Sequence, residues 1–155
     1  MIKINTILNN KSWKNYLTNP SNFIQNKIKN LNRQMKIYKR KTIYCTLLLS
    51  GDREIKKLNK KFRKKNKPTD ILSFPFLERK NFNENIENKK IYLGDIAISY
   101  EEFCKKNKND YKNGFIKIFI HGFLHLLNFE HKSNKDFKIM NSMFNEPNAE
   151  FNNLN

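Results

Sequence analysis

Cysteine, alanine and valine are scarce in this chain of 155 residues. Valine is absent, and the two cysteines, Cys45 and Cys104, match no C-x-x-C motif for a metal or a redox disulfide. Both cysteines lie in apolar or helical surroundings. We therefore expect reduced, buried thiols and no disulfide-linked partner.

Long apolar runs are missing as well. The longest, residues 115–129, is too short to cross a bilayer and is interrupted by Lys117 and two histidines. The first residues, Met1 to Asn5, contain no apolar segment of the kind found in signal peptides. We therefore expect a soluble, cytoplasmic protein with no membrane partner.

Acidic residues are few: 14 Asp and Glu stand against 31 Lys and Arg, a net charge of +17. A strongly basic surface gathers phosphates, so the charge permits RNA binding. Codon bias is a second explanation, because Asn fills 26 positions and Ala occurs only at Ala97 and Ala149. An AT-rich genome yields such a composition without selection for a partner, and both explanations stay open here.

Hydrophobic periodicity predicts alternating strands and helices in one domain, residues 1–145, followed by a frayed tail, residues 146–155. The predicted strands cover residues 2–8, 42–49, 69–76 and 91–98, and residues 81–90 form a polar surface loop. The predicted helices cover residues 21–36, Ile55 to Phe62, a short helix after a Ser99–Glu102 capping box, a buried helix from Asp110 to Leu127, and a last helix that begins at Ser133 or Asn134.

The three histidines of the chain follow the spacing H-x3-H-x5-H, which is that of a metal site. His121 and His125 are four residues apart, so on a helix their rings point the same way and can bind one Zn²⁺. His131 completes the set if the helix ends at Asn128, a residue type that tolerates the left-handed conformation. Three protein ligands leave a fourth position for water, the pattern of a catalytic site.

Two other interpretations compete with this one. A histidine pair on an apolar helix is usually a hydrogen-bonded part of the core, although the third histidine at this spacing favours metal. The spacing also equals that of the protease motif H-E-x-x-H-x-x-G-x-x-H, in which Glu is the general base. Gly122 occupies the position of that Glu, so a metallopeptidase would lack its base.

Four linked motifs resemble the YbeY family of bacterial rRNA maturation factors, regarded as zinc-dependent single-strand endoribonucleases. In chain order they are residues 58–63 (LNKKFR), residues 67–76 (KPTDILSFPF), residues 93–96 (LGDI) and the histidine motif. The family's pattern has a glycine and an aspartate where this chain has Asn128 and Glu130. Asn128 should still allow the turn, and Glu130 keeps the charge of the aspartate, although its longer side chain could alter metal affinity.

The resemblance implies an α+β fold: one compact domain with a small mixed sheet of about four strands, helices packed around it and the metal site at the end of a buried helix. It implies one Zn²⁺ per chain, held by His121, His125 and His131, with Arg63 as a catalytic residue beside the metal. A guanidinium can contact a phosphate bidentately and offset developing charge. Asp70 and Asp95 are possible bases or helpers.

The resulting functional hypothesis is a zinc-dependent endoribonuclease that acts on ribosomal RNA and the small ribosomal subunit. Its reactions would be maturation of the 3′ end of the small-subunit rRNA and ribosome quality control. The alternative is a non-enzymatic ribosome assembly factor, in which the metal mainly staples the helix to the loop carrying His131.

Overall fold

A four-stranded mixed sheet is the centre of the fold in a computed structural model, which describes residues 1–34, 42–76 and 90–127. The strands are β1 (Ile2–Leu8), β2 (Thr42–Ser50), β3 (Ile71–Pro75) and β4 (Lys90–Ser99). Their order across the sheet is β1-β2-β4-β3. The first two pairings are parallel, and the edge strand β3 runs antiparallel to β4.

Within these ranges, four helices pack around the sheet: α1 (Pro20–Gln34), α2 (Asp52–Arg63), α3 (Tyr100–Lys106) and α4 (Tyr111–Leu126). A 3₁₀ helix, Lys11–Asn15, follows β1 and buries Trp13. The predicted α+β class, a single domain with a small mixed sheet, is confirmed. The predicted boundaries differ from these by a few residues at most. The polar loop, the last helix and the tail lie outside the described residues.

The two faces of the sheet are covered by different helices, because alternate residues of each strand point to opposite faces. One face carries most of the core, in which Ile43, Leu47 and Ile98 pack with residues of α1 and α4. The other face carries a smaller cluster, in which Leu72 and Ala97 pack against Ile55 of α2. Consequently α2 and α4 lie on opposite sides of the sheet.

The two predicted helix caps have different outcomes. Asp110 caps α4, since its side chain accepts a hydrogen bond from the Asn113 backbone N–H. The capping box predicted at Ser99 is wrong, because the Ser99 side chain does not cap α3. Its hydroxyl instead donates to Asp52 Oδ1, 2.5 Å away at the start of α2. This contact joins the ends of β4 and α2.

Both cysteines are free thiols. Burial, followed by the nearby charge of Asp95, raises the pKa of Cys45 to about 12, so this thiol stays protonated and unreactive. Cys104 is only partly buried, which corrects the expectation that both are core residues. None of the helices in the described part of the chain is long and apolar enough to cross a membrane.

Candidate metal centre and active site

His121 and His125 lie on the last two turns of α4, and the structure brings their rings together as the four-residue spacing predicts. Their Nε2 atoms are 3.3 Å apart. The ring centroids are 4.7 Å apart and the ring planes are nearly perpendicular, at 80°. Both side chains are half-buried, so the two nitrogens converge at a place that solvent can reach.

Gly122, between the two histidines in sequence, sets the distance between α4 and the sheet. A Cβ atom there would lie 2.6 Å from Ile71 Cδ1, 3.0 Å from Ile96 Cγ2 and 3.1 Å from Ser73 Oγ. Glycine allows this close approach of α4 to β3 and β4, because any larger residue would have to push Ile71 and Ile96 aside. The position that carries Glu in the protease motif therefore faces the sheet and has no room for a general base.

The third predicted ligand, His131, lies outside the described residues, as do Asn128 and Glu130. Within the described ranges, no cluster of three or more His, Cys, Asp or Glu side chains could hold a metal ion. The structure thus brings together two of the three predicted ligands.

Arg63 is the last residue of α2 and is exposed to solvent. The helix ends there because Lys64 adopts a left-handed conformation, with φ of 59°. Since α2 lies on the sheet face opposite α4, Arg63 and the histidine pair approach from different sides. The ring of the preceding residue, Phe62, packs 5.0 Å from that of Phe74, which places the end of α2 beside the edge strand β3.

Asn59 is a residue that sequence reasoning missed. Asn59 is buried, and its side-chain Nδ2 donates to the Lys67 backbone carbonyl at 2.7 Å. Its backbone carbonyl accepts a hydrogen bond from the Lys65 backbone N–H at 3.2 Å. These bonds fold the basic segment, residues 60–67, back onto the helix end. An asparagine in so asparagine-rich a chain offers no signal that would single it out.

The two aspartates suggested as helpers have other partners. Asp70 Oδ2 pairs with Lys106 Nζ at 2.8 Å, and its Oδ1 accepts from the Ile71 N–H. Burial raises the pKa of Asp70, but the Lys106 hydrogen bond and charge outweigh it and hold the pKa below its usual value. Asp95 accepts a hydrogen bond of 2.5 Å from the Tyr92 hydroxyl, on the sheet face away from the histidines. Neither geometry supports a general base at the histidine pair.

Comparisons with known proteins give a consistent family assignment. The family described as "Endoribonuclease YbeY" matches residues 7–152. Endoribonuclease YbeY of Pelagibacter ubique is 47% identical over 144 residues, covering 90% of each chain. That of Ehrlichia canis is 33% identical over 146 residues, covering 92% of this chain and 88% of the relative.

A solved structure has a similar fold. The solution structure of TM1509 from Thermotoga maritima matches with a TM-score of 0.53 and 25% identity. The match covers 92% of this chain and 86% of that one. Taken with the motifs and the mixed sheet, these matches show that the chain belongs to the YbeY family of endoribonucleases.

Proposed function

We propose that this protein is a zinc-dependent, single-strand endoribonuclease that matures ribosomal RNA in the cytoplasm. Its substrate would be the 3′ end of the small-subunit rRNA, and it would also act on defective ribosomes in quality control. The observation that carries the proposal is the convergence of His121 and His125 in a chain whose relatives are described as endoribonucleases.

The spacing of the two nitrogens is compatible with a tetrahedral zinc ion. A tetrahedral zinc ion with Zn–N distances of about 2.0–2.1 Å places two ligand nitrogens about 3.3–3.4 Å apart. The observed 3.3 Å between the Nε2 atoms equals one edge of that tetrahedron. The same distance fits an N–H···N hydrogen bond between the rings, so measured metal content decides between the two.

His121 and His125 would hold the ion through Nε2, with His131 as the third ligand. When bound, zinc would supply a Lewis acid for a phosphate oxygen and lower the pKa of a coordinated water. Arg63 would reach past the edge strand β3 to bind the phosphate through its planar guanidinium, in a geometry that a lysine does not reproduce. No acid or base is needed at position 122 for this chemistry.

A peptidase is the weaker alternative, because the close contacts of Gly122 leave no space for the glutamate that the protease motif requires. A structural zinc staple is the other alternative. It predicts a closed site with four protein ligands, whereas a catalytic site keeps one position open. Cobalt substitution separates the two, since the visible spectrum of an open site changes when azide or another small anion is added.

Metal content is the first prediction. Purified protein should hold about one zinc per chain, and His121→Ala should largely remove it because the ion loses a ligand. Lys117→Ala is the matched control, one turn earlier on the same helix and exposed, and it should retain zinc. Elemental analysis that finds no transition metal in wild-type protein, and none after addition, would end the catalytic proposal.

Activity is then measured on single-stranded rRNA with and without chelator. His125→Ala, purified in the same way, serves as the control for contaminating nucleases. Cleavage that is lost with chelator, restored by zinc and absent from His125→Ala supports the proposal. Cleavage that is equal in both proteins contradicts it.

A further inference from the structure

Part of the sheet face beneath α2 is left open by the described elements. Helix α2 covers Leu48, Leu72, Ala97 and Phe74, and it ends beside Phe74. Tyr44 and Tyr92 lie beyond that point, directly opposite each other in the register of β2 and β4. Their sequence neighbours, Ile43 and Ile91, point into the main core, so both tyrosines point to the open face.

Phe76 and Phe62 extend this surface to the sheet edge, and we name Tyr44, Tyr92, Phe76 and Phe62 the aromatic platform. The rings of Phe76 and Tyr92 are 5.5 Å apart. Phe76 is 69% exposed, Phe62 56% and Tyr92 36%, although aromatic rings are usually buried. Several exposed rings on one open face mark a binding surface rather than a stray apolar residue.

Tyr92 is held in place although it is exposed. Its hydroxyl donates to Asp95 Oδ1 at 2.5 Å and lies 2.9 Å from Thr46 Oγ1. Both partners are on the same face of the sheet. The ring is therefore fixed before any ligand arrives, which lowers the entropic cost of binding against it.

Strong positive charge borders the platform. Residues 60–67 contain six lysines and arginines and no acid, all of them exposed. None forms a salt bridge within the ranges that the structure describes. Lys61 Nζ lies 5.2 Å from the centre of the Phe62 ring, so the charge reaches the platform itself. Lys3, opposite Tyr44 in register and exposed, adds a cation on the β1 side.

We propose that the aromatic platform binds single-stranded RNA, with bases stacked on the exposed rings and phosphates on the lysines of residues 60–67. Proteins that bind single-stranded nucleic acid without sequence preference combine aromatic side chains with flanking cations. Every base can stack on an aromatic ring, and the cations contact the phosphates. Asp95 also lies on this surface, where its Oδ1 accepts a hydrogen bond from the Tyr92 hydroxyl. The inference rests on the proposed function, and it assigns a second RNA contact on the sheet face opposite the histidine pair.

Binding is tested with a short, fluorescein-labelled single-stranded RNA made resistant to cleavage by 2′-O-methyl and phosphorothioate groups. Phe76→Leu and Tyr92→Leu keep apolar bulk but lose the aromatic face, and each should weaken binding about fivefold or more. Phe76→Tyr keeps the ring and should stay within about twofold of wild type. Ile7→Ala removes a residue that is 47% exposed on the same face but outside the platform, and should bind like wild type.

Stacking is observed directly in a Phe76→Trp variant. The native tryptophan, Trp13, is fully buried and gives a constant signal, so quenching by RNA reports the new ring alone. Unchanged affinity of both leucine variants, together with an unquenched Trp at position 76, would overturn the inference and leave the face to another partner, such as a protein. If the leucine variants then still cleave rRNA at the wild-type rate, the proposed function is unaffected. If wild-type protein binds RNA through the platform but does not cleave rRNA, the proposed function is wrong and the platform remains supported.

Discussion

Gly122 lies between the two histidines on α4 and is the residue that sets how closely this helix approaches the sheet. A Cβ atom would come within 3.0 Å of Ile96 Cγ2. Ile96 is fully buried and β-branched, so its methyl group has little freedom to move aside. The glycine that looked like a missing catalytic base is thus a packing requirement of the site.

The second prediction follows from this contact. Gly122→Glu should lower the free energy of unfolding by more than about 2 kcal/mol, because it forces a charged side chain into a filled space. Lys117→Glu, exposed on the same helix, is the control for the added carboxylate. Denaturant unfolding followed by circular dichroism measures both. Equal stability of Gly122→Glu and wild type would mean that α4 does not pack as described.

Single residues differ in how far the sequence reveals them. The pairing of His121 with His125 was predictable, because a helix fixes the relation between residues four apart. The partner of Ser99 was not, because Asp52 lies 47 positions away and the two meet only once β4 and α2 are packed. A local capping motif competes with such tertiary contacts, and here the tertiary contact is the one formed.

The helices were found from periodicity, but the face of the sheet that each one covers was not. Ile55, Leu58 and Phe62 mark an apolar side on α2 without saying what it meets. The structure places that side on the smaller cluster, away from α4. The resemblance put Arg63 beside the metal, yet its helix lies on the opposite face and only its end comes near the edge strand. A phosphate contact by Arg63 at the proposed metal site would have to pass around β3.

The ion pair of Asp70 and Lys106 links the start of β3 to α3 and yields the third prediction. A carboxylate whose pKa is lowered by folding adds stability above its ordinary pKa and loses it as the pH falls through the folded value. Lys106 is 60% exposed, so Lys106→Met should cost less than about 1 kcal/mol at neutral pH. The difference from wild type should vanish once Asp70 is protonated.

Unfolding free energies measured across the acid range check this linkage. Lys108→Met removes an exposed lysine two residues away that has no salt bridge in the described chain, and it should show no such pH dependence. A stability loss in Lys106→Met that is the same at neutral and strongly acidic pH would show that the lysine acts through packing alone.

For the whole molecule, periodicity predicted most of the described elements in the right order, and the family resemblance implied the α+β class. The sheet order β1-β2-β4-β3 was not predicted, because strand pairing joins segments distant along the chain. Nor could composition explain the net charge of +17, since codon bias and RNA binding both raise the lysine content. The structure adds a distinction: residues 60–67 are a concentrated group of cations without ion pairs among the described residues, beside exposed aromatic rings.

The last prediction uses this distinction to ask which charges serve RNA. Replacing Lys64 and Lys65 with Ala should weaken RNA binding and reduce the slope of log affinity against log salt by about 1.4, since each phosphate contact to a single strand contributes about 0.7. Replacing Lys27 and Lys29, exposed on α1, removes the same charge elsewhere and should barely change the slope. If both lysine pairs lower the slope equally, all exposed lysines contribute alike, as expected when codon bias rather than RNA binding sets the lysine content.

Arg63→Lys should keep the salt slope but lower the cleavage rate at saturating RNA, because the charge remains while the planar guanidinium is lost. If Arg63→Lys cleaves at the wild-type rate, Arg63 is one more solvated cation and the phosphate contact belongs to another residue.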